Sequence, residues 1–93
     1  MFDFNKKIIE NQDIVTTYKG KELVLKNVFY YNGPVTMQYL PNGGIQSTFN
    51  GLIIINSPSG FIACQNVIYD GKYYSSAEFV SNNPFLINTI LPN

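Results

Sequence analysis

The sequence predicts a small all-β protein, and three observations carry this prediction. Isoleucine, tyrosine and phenylalanine, which fit the pleated surface of a strand, occur 11, 7 and 7 times. Alanine, the best helix former, occurs only twice. Turn signals rich in glycine, proline and asparagine divide the chain at regular intervals. With 93 residues, the chain is expected to form one domain over residues 1–93.

The N-terminal residues are the one place where a helix is expected. Asp3 is a suitable N-cap, and Phe4 and Ile8 would share one helical face. Lys6 and Glu10 have the i, i+4 spacing of a helical ion pair. We therefore predict at most one short N-terminal helix, near residues 3–11, with a strand at the same place as the alternative.

The turn signals after that point separate segments with the length and composition of strands. They lie at residues 19–21, 32–34, 41–44, 57–60, 70–71 and 81–84. We predict seven short strands, at about residues 13–18, 22–31, 35–40, 45–56, 61–69, 72–80 and 85–91.

Alternation of apolar residues assigns the buried faces of two predicted strands. Leu23, Leu25 and Phe29 share one face of the second strand, and the fourth strand repeats this pattern with Ile45, Phe49, Ile53 and Ile55. Asp70-Gly71 predicts a two-residue hairpin. Because the predicted connections are short, neighbouring strands should be antiparallel. The expected architecture is an antiparallel meander curled into a roll, a small barrel or a sandwich.

One segment of the chain echoes another. Residues 23–30, LVLKNVFY, align with residues 62–69, IACQNVIY, at a constant offset of 39 residues. A turn follows each segment. One interpretation is a duplicated three-strand unit with a pseudo-twofold axis. The other is that two β-hairpins of this composition resemble each other.

The charge pattern disfavours several partners. Six lysines balance three aspartates and three glutamates, there is no arginine, and only 13% of residues are charged. Duplex nucleic acid is therefore not an expected partner. The longest aliphatic run, residues 52–55, is far too short to span a membrane, and the N-terminus lacks the apolar stretch of a secretory signal. With one cysteine, the chain is expected in the cytoplasm of a cell or infected host.

Nothing in the sequence has the pattern of a catalytic or metal site. There is no histidine to activate a nucleophile, and Cys64 lies in an apolar strand, where it is expected to be a buried thiol. The carboxylates are scattered rather than clustered, which disfavours acid–base catalysis and calcium binding. We expect no enzyme activity, no catalytic residue, no metal and no cofactor.

Tyrosine is the residue type that points to a binding surface. Six of the seven tyrosines lie on strands beside two predicted turns, and one of each adjacent pair should face the core. Tyrosine combines a rigid apolar face with a polar tip and is enriched at interfaces. Core packing and β-propensity are the alternative explanation. The candidate binding residues are Tyr30, Tyr31, Tyr39, Tyr69, Tyr73 and Tyr74.

The sequence thus favours a non-catalytic interaction or assembly module that acts through a tyrosine-rich, charge-poor β surface. Its partner would be a second copy, giving a homo-oligomer, or a larger protein. The small size and the residues of AT-rich codons fit a phage- or virus-encoded accessory or inhibitor protein. The alternative is a nucleotide- or carbohydrate-binding protein that uses tyrosine stacking with asparagine, glutamine and lysine contacts.

Overall fold

The all-β prediction is confirmed by a computed structural model, which describes residues 3–33, 35, 40–49, 51–58 and 60–92, with backbone alone at 47–49. Within these ranges there are eight strands, one α-helix and a short 3-10 helix at Pro84–Leu86. The elements are β1 (Ile14–Tyr18), β2 (Lys21–Lys26), β3 (Phe29–Tyr31), β4 (Ile45–Phe49), β5 (Leu52–Ser57), β6 (Gly60–Cys64), β7 (Asn66–Tyr69), β8 (Lys72–Ser75) and α1 (Ser76–Asn82).

The strands form two four-stranded antiparallel sheets. Sheet 1 has the order β1-β2-β7-β8, and sheet 2 has the order β3-β6-β5-β4. The main core contains side chains of both sheets and therefore lies between them, as in a sandwich. Its fully buried strand residues include Ile14, Leu23, Leu25, Ile53, Ile55, Ile62, Cys64 and Val67.

The predicted meander is wrong, because two of the strand pairs join distant parts of the chain. β2 pairs with β7, and β3 pairs with β6. The predicted strands 22–31 and 61–69 each break in the middle, at Asn27 with a φ of 49° and at Gln65. After each break the chain crosses into the other sheet. These crossings tie the sheets together.

The break at Asn27 also corrects one predicted face. Val28 takes the next core position after Leu23 and Leu25 and is fully buried. Phe29 instead packs with a second, smaller cluster on the outer side of sheet 2. The predicted strand 45–56 is likewise two strands, which turn back on themselves near Gly51. Phe49, predicted to face the core, has a side chain outside the described part of the structure.

The helix does not form where the sequence predicted it. Residues 3–11 contain no helix, and Phe4 and Ile8, which were predicted to share a helical face, are fully buried without one. The predicted strand 72–80 ends at Ser75, whose hydroxyl accepts a hydrogen bond from the Glu78 amide at 3.1 Å and so caps α1.

The C-terminal segment also differs from its predicted form. The predicted strand 85–91 begins in the 3-10 helix and is followed by a single bridge between Gly44 and Ile90. Most of the remaining predicted strand, residues 35–40, lies outside the described residues.

The internal echo corresponds to a structural repeat. The β1–β2 hairpin pairs Ile14 with Leu25, and the β5–β6 hairpin pairs Ile53 with Cys64, with both residues shifted by 39. The strand that follows each hairpin, β3 or β7, crosses to pair with the other hairpin. The repeat therefore relates β1, β2 and β3 to β5, β6 and β7 by a pseudo-twofold axis.

Candidate interaction surface

The outer face of sheet 1 carries a row of apolar side chains that runs across all four strands. Val15 pairs with Val24, Val24 with Ile68, and Ile68 with Tyr73. The neighbouring residues in these strands point into the core, so the row points away from it. Val15 and Tyr73 are 46% and 61% exposed, and the two central side chains are half-buried. We call these four residues the open row.

Polar and charged residues flank the open row along the strands. On β2, Glu22 and Lys26 lie two residues to either side of Val24 and therefore on the same face. The Lys26 ammonium bonds to a carboxylate oxygen of Asp13 at 2.7 Å. This hydrogen bond, with a second from the Asn27 amide, lowers the pKa of Asp13. An apolar centre with a polar rim is the usual anatomy of a protein interface.

The outer face of sheet 2 carries the equivalent row. Phe29, Ala63 and Ile54 are neighbours across three strands, and the 39-residue repeat relates them to Ile68, Val24 and Val15 respectively. Here Ile54 and Ala63 are completely buried. We call these three residues the covered row. The side chains that pack around it are Tyr31, Val35, Leu52 and Phe61.

Strand order and flanking residues distinguish the covered row from the open row. Ile54 lies on the interior strand β5, whereas its counterpart Val15 lies on the edge strand β1. Phe61 and Tyr31 of sheet 2 correspond by the repeat to Glu22 and Asp70 of sheet 1. Aromatic side chains extend over a neighbouring apolar row, whereas exposed carboxylates remain hydrated. Tyr31 also lies against the chain at Gly33, where an added Cβ would be 2.5 Å from the tyrosine hydroxyl.

The first group of predicted binding tyrosines lies on β3 of sheet 2. Tyr30 is 39% exposed, and its hydroxyl donates a hydrogen bond to the carbonyl of Ile8 at 2.8 Å. Tyr31 is 9% exposed within the cluster around the covered row. Tyr39 lies outside the described residues.

The second group lies on β7 and β8 of sheet 1. Tyr69 and Tyr74 pack against Phe79 of α1, with ring centroids 5.1 Å and 5.8 Å away. The Tyr69 hydroxyl donates to the carbonyl of Tyr18 at 2.8 Å. Tyr73, next to the inward-facing Tyr74, is the tyrosine that joins the open row. Within the described residues, the two groups therefore lie on different sheets.

Sequence reasoning missed the other members of the open row. Each of the three is flanked along its strand by residues that face the core. Their strands therefore carry apolar residues on both faces, at Val15, Val24 and Ile68 as well as at the core positions. That double pattern is the available signal, because a strand with one solvated face normally alternates apolar with polar residues. It indicates strands that have apolar contacts on both faces.

Cys64 is buried, as the sequence predicted. Its thiol lies 3.7 Å from the Ser76 hydroxyl, and burial raises its pKa to about 12. A thiol with such a pKa carries almost no thiolate at neutral pH and is a poor nucleophile. Among the described residues, no three cysteine or carboxylate side chains come together as a metal site.

Comparison with known proteins finds no relative: no family model, no curated protein and no solved structure matches the chain. Across the described residues, no helix has the length and apolar character needed to cross a lipid bilayer.

Proposed function

We propose that this protein is a non-catalytic interaction module that docks another protein surface through the open row. The observation that carries the proposal is the contrast between the two sheets. The chain fully buries Ile54 and Ala63 on the outer face of sheet 2, whereas on sheet 1 the open row is exposed at Val15 and Tyr73 and half-buried at its centre. A contiguous apolar row with a polar rim is typical of a surface that is covered in a complex.

The side chains of the open row have the chemistry to drive association. Burial of apolar surface contributes about 25 cal/mol per Å². Tyr73 exposes 61% of its surface, and burial of roughly 100 Å² of such a side chain would contribute about 2.5 kcal/mol. Its hydroxyl can remain hydrated at the rim. Tyr73 is therefore expected to contribute most to binding.

The shape of the site favours a protein partner over a small ligand. The open row lies across four paired strands of one sheet face. Small ligands are usually held in concave pockets that bury most of their surface. A row of side chains on a sheet face instead offers an extended contact, which another protein surface can cover.

The setting we propose is the cytoplasm of a cell or infected host, with a phage or virus as the source. A single cysteine that is free and buried fits a reducing compartment. The abundance of residues encoded by AT-rich codons, together with the small size, supports the proposed source.

Matched aromatic variants test the proposed function. Tyr73→Asp places a charge in the open row, and Phe85→Asp places the same charge at an aromatic residue that is 83% exposed near the C-terminus. Melting temperatures first show that all three proteins are folded. Tagged wild type and both variants are then used for affinity capture from a lysate of the cells in which the protein is naturally made. We expect wild type and Phe85→Asp to retain the same partner and Tyr73→Asp to lose it. Equal capture by all three proteins would contradict the proposal.

A further inference from the structure

We propose that the surface docked on the open row is the open row of a second copy, in a face-to-face dimer whose two-fold axis runs along the row. This inference rests on the proposed function and specifies its partner. The order of charges on β2 supports a second copy as the partner.

The two-fold axis determines which residues meet. Rotation of one copy by 180° about an axis parallel to the row places the two open rows over each other. The strands of the second copy then run in the opposite direction to those of the first. Val24 then faces Val24 of the partner copy, and Glu22 faces Lys26 of the partner copy. Because the two-fold interface is isologous, the Glu22–Lys26 contact occurs twice.

The charges on β2 are complementary in this arrangement. Glu22 is exposed, with no ion pair among the described residues, so its carboxylate is available to a partner. Lys26 already holds Asp13 at 2.7 Å, which fixes its ammonium beside the open row. In the dimer, each Lys26 lies between its own Asp13 and the partner's Glu22. Such pairs set the orientation of two surfaces more than their affinity.

The area of the face predicts a weak dimer. Four strands about 4.8 Å apart and five residues of about 3.3 Å each give a projected face of roughly 300 Å². Stable complexes bury about 800 Å² on each partner. The association is therefore expected to depend on concentration, and the protein should dissociate on dilution.

Charge reversal with complementary mixing tests the arrangement. The first variant is Glu22→Lys. The second is Lys26→Glu combined with Asp13→Asn, because Asp13 would otherwise repel the new glutamate. Each variant alone brings like charges together twice, whereas a mixed dimer of the two restores both attractive contacts. Glu78→Lys, at an exposed position in the first turn of α1, is the matched charge control.

Sedimentation equilibrium over a wide concentration range gives the result. We expect wild type and Glu78→Lys to approach twice the 10.5 kDa chain mass at high concentration. Each reversed variant should associate about tenfold more weakly, and their equimolar mixture should regain the wild-type affinity. Melting temperatures confirm that the variants are folded.

Two results would overturn the inference. A wild-type protein that stays monomeric at all concentrations rules out the second copy, while Tyr73→Asp capture still tests the proposed function separately. If Tyr73→Asp abolishes a wild-type dimer but mixing restores nothing, the row mediates docking and the two-fold arrangement along it is wrong.

Discussion

The 39-residue repeat relates three outward-facing residues of sheet 1 to three of sheet 2: Val15 to Ile54, Val24 to Ala63 and Ile68 to Phe29. Both sets are apolar and follow the same three-strand pairing, although Val15 lies on the edge strand β1 whereas Ile54 also pairs with β4. At the central position of each row, Val24 is half-buried and Ala63 is completely buried. The apolar row therefore does not decide whether a sheet face is open. Two differences accompany the burial: Phe61 and Tyr31 pack around one row whereas Glu22 and Asp70 beside the other remain exposed, and β4 extends sheet 2 beyond Ile54.

The largest expected effect comes from placing the same charge at two equivalent positions. Ala63→Asp would bury a carboxylate in the covered row, and we expect it to prevent folding or cost more than about 3 kcal/mol. Val24→Asp leaves its carboxylate near water and should cost about 1 kcal/mol. Urea denaturation measures both. Similar losses for the two variants would show that the faces do not differ in burial.

We expect no such difference in burial between the inward-facing residues of the two sheets, because both sheets contribute to one core. Cys64 corresponds by the repeat to Leu25, and both side chains are fully buried. Cys64→Ser should therefore lower the free energy of unfolding by roughly 1–3 kcal/mol through a poorly satisfied hydroxyl. Thiol labelling of the native protein should be slow and should become fast in denaturant. Rapid labelling without denaturant would contradict this burial.

Gly33→Ala should disturb the packing of Tyr31 around the covered row without changing any residue of that row. The new Cβ would lie 2.5 Å from the Tyr31 hydroxyl, so the ring must move away from its present contacts. We expect a loss of about 1–3 kcal/mol and increased binding of a hydrophobic dye. Gly71→Ala at the β7–β8 turn is a contrasting control, because no other atom lies within 4 Å of its Cβ position and its cost comes from a φ of 80° alone. A Gly33→Ala protein with no increase in dye binding would argue against this role for Tyr31.

The smallest effect should come from the rim of the open row. Because Lys26 and the Asn27 amide lower the pKa of Asp13 in the folded state, ionised Asp13 stabilises the fold above its unfolded value of 3.8. That stabilisation should disappear as the pH falls through the lower folded value. Since the pair is partly exposed, Asp13→Asn should cost less than about 1 kcal/mol at pH 7. Chemical denaturation at pH 7 and at pH 2–3 measures this, and an equal cost at both would contradict it.

The sequence predicted the fold class because its signals are local. Alternation identified Leu23, Leu25, Ile53 and Ile55 as core, and Asp70-Gly71 identified a hairpin that the structure confirms between Tyr69 and Lys72. The sheet order was missed because Asn27 and Gln65 interrupt segments that look continuous. Whether a strand crosses to another sheet at such a residue depends on distant partners.

The helix was misplaced for a related reason. Ser75 and Glu78 have the spacing of a capping box, but they follow two tyrosines that favour a strand. Asp3 has the character of an N-cap, yet its carboxylate accepts from the Asn5 amide within a turn. Local capping signals allowed either position, and packing of Phe79 against Tyr69 and Tyr74 accompanies the helix that forms.

Of the candidate site, the sequence predicted Tyr73 alone. Composition drew attention to tyrosine, but burial separates Tyr73 from Tyr31, Tyr69 and Tyr74. Val15, Val24 and Ile68 look like ordinary strand residues until the register aligns them across the sheet. The cover over sheet 2 depends on contacts between segments far apart in sequence, which alternation within one strand does not reveal.

Backbone amide NMR spectra recorded during dilution test most directly whether two copies associate through the open row. We expect the amide shifts of the open row, at Val15, Val24, Ile68 and Tyr73, to change together with concentration as the dimer dissociates. Amides of Phe29, Ala63 and Ile54 should stay constant, because their row is already covered. Concentration-dependent shifts centred on sheet 2, or spectra that do not change between millimolar and low micromolar protein, would contradict self-association through the open row.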